Sequence, residues 1–90
     1  MRFTLPPGDH EIGRLPGMSV QIEGSGVSRH HSMLRVSASE VTVEDLGSKN
    51  GTYVNNQRIV GARRLIHGDK LAIGEIKFKV SFEQGGTQGR

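Results

Sequence analysis

Glycine recurs thirteen times between Gly8 and Gly89. A chain punctuated this often leaves little room for helices of three or four turns, because each glycine inside a helix costs about 1 kcal/mol relative to alanine. The stretches between the glycines alternate instead. In EIKFKVSFE, residues 75–83, Ile76, Phe78, Val80 and Phe82 share one face while Lys77, Lys79 and Ser81 share the other, the period of two that marks a half-buried strand. Val41 and Val43 in EVTVED repeat the pattern. RFTL, HEIGR, SVQIE, SMLRV, GTYVN, RRLI and KLAIG are further short runs, each bounded by Gly, Pro, Asn, Asp or Ser. This rhythm of short strands and turn residues predicts an all-β sandwich without a helix.

Size and charge narrow what such a sandwich can do. Ninety residues form one small domain that buries only about 60 to 65% of its unfolded surface, too little for a large enclosed catalytic cavity. The chain has no cysteine, so disulfides, zinc–thiolate sites and cysteine nucleophiles are excluded together, and a reducing compartment is expected: the cytoplasm, or the nucleus in a eukaryotic cell. MRFTLPP breaks at two prolines before an apolar run of signal-peptide length can form, and no stretch is apolar for long enough to span a membrane. Twelve Lys and Arg against nine Asp and Glu leave a net charge of +3. Glu23, Glu40, Glu44, Asp45 and Asp69 are scattered among the basic residues, so no continuous cationic block exists to neutralise many phosphates of a nucleic acid. Arg63-Arg64 and the alternating Lys77 and Lys79 read as solvated strand faces, and one tyrosine with three phenylalanines offers few rings for bases to stack on. A single anionic group is the better match. The terminal QGGTQGR has no apolar residue, so residues 1–84 are read as the domain and 85–90 as a flexible tail or the start of a linker.

The densest chemistry lies in GVSRHHSM, residues 26–33, with the hydroxyl of Ser28 and that of Ser32, an arginine and two of the four histidines. A catalytic reading finds no support. GDHEIGRL has the glycine spacing of a phosphate-binding loop at Gly8 and Gly13, but Arg14 stands where the lysine belongs and Leu15 where the magnesium-binding hydroxyl belongs. Ser28, His31 and Asp45 could be written as nucleophile, base and orienter, yet no sequence spacing indicates such a triad. Adjacent His30 and His31 on a strand point to opposite faces and cannot easily share a metal ion, so one buried and one solvated histidine is the expectation. No catalytic residue, metal site or cofactor is therefore assigned. In DLGSKNGTYVN, residues 45–55, Asn50-Gly51 between two β-like runs is a strong hairpin signal, and VNNQR just after it reads as another turn.

Four segments taken in order, EIGR (Glu11 to Arg14), VSRHH (Val27 to His31), LGSKNGTYVN (Leu46 to Asn55) and HGDKLAIG (His67 to Gly74), resemble the ordered motifs of a forkhead-associated domain. The resemblance spans roughly Phe3 to Phe82. It implies a β-sandwich of about eleven short strands whose loops at one end bind a phosphothreonine peptide, with no enzymatic activity, and a partner protein whose phosphothreonine is written by a serine/threonine kinase. Carried across by position, Arg14 of the Gly13-Arg14 pair matches the principal phosphate-binding arginine and Ser28 the serine that hydrogen-bonds phosphate. Arg29 falls where a second polar or basic residue faces the phosphothreonine. Lys49 falls at a further phosphate contact, and Asn50 matches the asparagine that bonds the peptide backbone. Gly13, His31 and Gly51 match the residues that organise the loops. Met18-Ser19 departs from the usual Asn-Asp, and Ser32 from the usual small apolar residue.

These residue types suit that ligand. Phosphothreonine carries a charge of about −1.5 to −2 and three strong acceptor oxygens; arginine offers a rigid fork, lysine a point charge and serine a short hydroxyl donor. The alternative is a phosphate-independent or self-associating module that uses the faces of the same sheets. The presence of both Arg14 and Ser28 favours the phosphate-dependent reading.

Overall fold

The computed structural model describes residues 2–82, and among them the only regular elements are nine strands: β1 (Gly8–Gly13), β2 (Val20–Gln21), β3 (Ser32–Val36), β4 (Val41–Asp45), β5 (Thr52–Val54), β6 (Gln57–Arg58), β7 (Ala62–Leu65), β8 (Lys70–Ile73) and β9 (Ile76–Lys79). They make two sheets, a five-stranded one in the order β2-β1-β3-β4-β7 and a four-stranded one in the order β6-β5-β8-β9. The longer strands turn most of their apolar residues toward the other sheet. Ile12, Val43 and Leu65 from the first meet Val54, Leu71 and Ile73 from the second, all at most 4% exposed. Alternation is clear in β4, where the buried Val41 and Val43 flank a half-buried Thr42.

The strand count is nine rather than about eleven. RFTL joins no ladder and cannot extend into one through Pro6 and Pro7, which lack amide hydrogens, although Phe3 packs edge-on against Phe78 with ring centroids 6.0 Å apart. EIKFKVSFE pairs only as far as Lys79, after which the Val80 amide donates to the Asp69 carbonyl at 2.8 Å and ties the chain to a turn instead. Asn50-Gly51 is not a hairpin, because β4 and β5 lie in different sheets; the segment carries the chain across the sandwich. The hairpin is at Asn55-Asn56, whose φ angles of 51° and 70° are those a two-residue primed turn demands between the paired Val54 and Gln57. Arg63 is also not on the solvated face. It sits on the Leu65 side of β7, half-buried, while Arg64 points outward toward Glu40 at 3.7 Å.

Candidate functional site

One end of the sandwich gathers the end of β1, the start of β3, the β4–β5 crossover and the β8–β9 turn. Backbone hydrogen bonds lock these together. The Arg14 amide donates to the Ser28 carbonyl at 3.1 Å, the His31 amide to the Ile12 carbonyl at 2.9 Å, and the Leu46 amide to the His31 carbonyl at 2.9 Å. Glu75 donates to the Ser25 carbonyl at 3.3 Å. Segments far apart in sequence are thereby fixed as one surface, the way a rigid scaffold presents loops.

His31 is fully buried and holds this surface from beneath. The Ser28 amide donates to its Nδ1 at 3.1 Å, so Nε2 carries the ring hydrogen and donates to the Gly51 carbonyl at 2.9 Å. One ring thus bridges the 28–31 segment and the crossover. Because removing it strands the half-buried Ser28 amide and the buried Gly51 carbonyl and leaves a void, His31→Ala should lower stability by about 2 to 4 kcal/mol, read as a shifted urea midpoint at unchanged slope. An unshifted midpoint would mean that the bridge is dispensable. His30 is exposed and pairs with Glu11, so the two adjacent histidines divide as one buried and one solvated.

Ser28 and His31 are not a nucleophile and base, since the imidazole meets the serine amide and not its hydroxyl. The Ser28 Oγ instead accepts the Lys49 amide at 3.0 Å, which leaves its own hydrogen to donate outward. Beside it, Arg14 donates Nε to the Val27 carbonyl at 3.3 Å, leaving the terminal nitrogens of the guanidinium open. Arg14, Arg29 and Lys49 are exposed, and none has a carboxylate partner among the described residues. Asn50 donates Nδ2 to the Gly26 carbonyl at 3.1 Å, which ties the crossover to the loop before Ser28. Three unpaired cations thus flank a hydroxyl held in one place, an arrangement that favours a compact anion with several acceptor oxygens.

The glycines here serve space or conformation. Gly13 lies where a Cβ would come within 1.9 Å of the Arg29 carbonyl oxygen. Gly51 has a φ of 89°, and the guanidinium of Arg58 lies across it, with Nε 2.7 Å from where a Cβ would be.

Beneath the crossover lies a polar network absent from the sequence-based set of site residues. Asp45 accepts hydrogen bonds from the amides of Gly47 and Ser48, both at 3.0 Å, from the Ser48 hydroxyl at 2.6 Å and from the Thr52 hydroxyl at 2.7 Å. Thr52 is in turn bonded to the fully buried Ser32 at 2.7 Å, which accounts for a hydroxyl at that position. Burial pushes the Asp45 carboxyl up, but the bonds from Ser48, Thr52 and the two amides outweigh it and hold the group below its ordinary value of 3.8. Asp-x-x-Ser at 45–48 is a recognisable Asx-type turn and was the available signal. Among the described residues no His, Asp or Glu grouping could hold a metal ion, and no helix is long and apolar enough to cross a membrane.

The FHA domain family model matches residues 10–74. Glycogen accumulation regulator GarA of Mycobacterium tuberculosis is 39% identical over 88 residues, which is 98% of this chain and 52% of that protein. The oxoglutarate dehydrogenase inhibitor of Corynebacterium glutamicum is 37% identical over 84 residues, 93% of this chain and 57% of that protein. The chain therefore spans about half the length of these curated relatives. Among solved structures, an FHA domain from a study of phosphothreonine-dependent FHA interactions superposes with a TM-score of 0.82 at 33% identity, covering 88% of this chain and 81% of its own. Mycobacterium tuberculosis EmbR, solved with a low-affinity phosphopeptide, gives a TM-score of 0.80 at 31% identity over 87% of this chain and 21% of its own.

Proposed function

This chain belongs to the forkhead-associated domain family, and we propose that it works as a phosphothreonine-dependent docking module of kinase signalling, binding a phosphorylated partner without catalysing a reaction. The observation that carries this reading is the Ser28 hydroxyl, held by the Lys49 amide at 3.0 Å and flanked by the open guanidinium of Arg14. Arg14 forks onto two phosphate oxygens, Ser28 donates its hydroxyl, and Lys49 and Arg29 supply further charge. Asn50 presents its amide to the peptide backbone. Gly13, His31 and Gly51 keep the loops in place. Three or four charge-assisted bonds of roughly 1.5 to 3 kcal/mol each, less the cost of ordering the peptide, are compatible with an affinity on the order of micromolar. The partner is a protein marked by a serine/threonine kinase, met in the cytoplasm or, in a eukaryotic cell, the nucleus.

Three peptides of one sequence, carrying phosphothreonine, phosphoserine or unmodified threonine, test this by calorimetric titration at one ionic strength. The phosphothreonine peptide is expected to bind on the order of micromolar and the unmodified one at least about a hundredfold more weakly, the loss of the charge-assisted bonds. Phosphoserine should fall between. It lacks only a methyl, worth about 0.8 kcal/mol or roughly fourfold when buried, and more in a tight niche. Equal binding of phosphorylated and unmodified peptides would remove the proposal.

A further inference from the structure

The outer face of the four-stranded sheet carries charge that nothing in the described chain neutralises. Register places Arg58 opposite Tyr53, Tyr53 opposite Ala72 and Ala72 opposite Lys77. Directly opposed residues on antiparallel strands share a face, so these four form one row across the sheet. Farther along the same face, Lys70 stands directly opposite Lys79, a like-charge pairing that destabilises a sheet. None of these four cations has a carboxylate partner among the described residues, and the ion pairs that exist, His30–Glu11, Arg35–Glu44 and Arg64–Glu40, involve other parts of the surface. Glu75, in the turn before β9, pairs with none of them. The carboxylates Asp9, Glu11 and Glu44 lie instead on the outer face of the other sheet. Cations placed against the local rule, with no compensation among the described residues, mark a surface that something else neutralises.

The row begins at the phosphate site. The Arg58 guanidinium rests on Gly51, the neighbour of Asn50. We propose that the face running from Arg58 to Lys77, with the Lys70–Lys79 pair beside it, docks an acidic segment of the same partner protein that supplies the phosphothreonine, so that recognition has two parts. The inference rests on the phosphothreonine reading for its anchor. Arg58 and Lys77 are three strand spacings apart, about 14 Å, which an extended chain covers in about four residues. Acidic residues at that interval can therefore meet both ends of the row. Tyr53 is the one aromatic ring in the row, whereas surfaces that grip single-stranded nucleic acid stack several bases on rings, so a polypeptide is the better fit.

The test uses wild-type protein and the double variant Lys77→Ser/Lys79→Ser, which leaves Arg14, Ser28, Lys49 and Asn50 untouched. Each is titrated with a short phosphothreonine peptide, with the same peptide extended by a segment of alternating Glu and Ser, with the extension rewritten as Gln and Ser, and with the unphosphorylated acidic peptide. Wild type should bind the acidic extension roughly tenfold more tightly than the Gln version, the product of three exposed ion pairs of ordinary strength. The gain should shrink with added salt and fall to about twofold in the double variant, where Arg58 and Lys70 remain, while the short phosphopeptide binds both proteins alike. Equal affinity of wild type for the two extensions, or an undiminished gain in the variant, overturns the proposal. A failure of the phosphothreonine reading looks different, since the short phosphopeptide then binds no better than its unmodified form. In that event the two-part recognition loses its anchor and falls with it, because three exposed ion pairs alone hold a free peptide too weakly to measure. An oligonucleotide of equal charge held as tightly through the same lysines would also overturn it, in favour of a general polyanion surface.

Discussion

Gly13→Ala is expected to be the most damaging single-methyl change in the domain, lowering stability by more than about 3 kcal/mol and abolishing phosphopeptide binding with it. Conformation is not the reason, because Gly13 does not have a positive φ. Space is. The added Cβ would lie 1.9 Å from the Arg29 carbonyl oxygen and 2.8 Å from its carbon, and both are backbone atoms with no rotamer to yield. Either β1 or the 28–31 segment must move by more than an ångström, and the Arg14–Ser28 and His31–Ile12 backbone bonds are the ones such a movement breaks. Buried bonds left unmade together with overpacking place this among the large effects. Urea unfolding and a phosphopeptide titration on the same preparation check it; a variant within about 1 kcal/mol of wild type would show that the loop yields freely.

Arg14→Ala should separate binding from stability. The side chain is exposed, and its one bond among the described residues is a long contact from Nε to the Val27 carbonyl, so its loss should change stability by no more than about 0.5 kcal/mol. Phosphopeptide affinity should fall at least about a hundredfold, as expected when the forked donor opposite a dianion is removed. Arg14→Lys should recover only part of this, because an ammonium supplies charge without the planar fork. Retained affinity in Arg14→Ala, or a large drop in melting temperature, would contradict the assigned role.

How much of this was legible in the sequence depended on the range of the interaction that decides each feature. Val41 and Val43, or Ile76 and Phe78, announce their strands because alternation is local. The division of His30 and His31 into one solvated and one buried ring followed from adjacency alone. Asn50-Gly51 misled. Its turn chemistry is real, and Gly51 does take a positive φ, but whether a turn joins neighbouring strands or crosses between sheets is settled by which strands pair, and that lies outside any short window. Asn55-Asn56 was recognised as a turn, yet Arg58 beyond it gained meaning only when the fold laid it across Gly51. Asp45 entered the sequence reading as a possible catalytic orienter, whereas four donors converge on it to hold the crossover. The gathering of Arg14, Ser28 and Lys49 at one end is likewise a product of long-range pairing, and only resemblance to a family anticipated it.

The hydrogen bond from the Lys49 amide to the Ser28 hydroxyl also bears on time. Because that oxygen already accepts a bond within the protein, the serine need not search its rotamers when a phosphate arrives. Association is then governed by encounter and by the attraction between three unpaired cations and a dianion, which can carry the on-rate toward the upper part of the usual range of about 10⁵ to 10⁷ per molar per second. At micromolar affinity the complex would last a fraction of a second to a few seconds. A domain built this way follows the phosphorylation state of its partner almost as fast as kinase and phosphatase can change it, and keeps no memory of a mark once that mark has been erased.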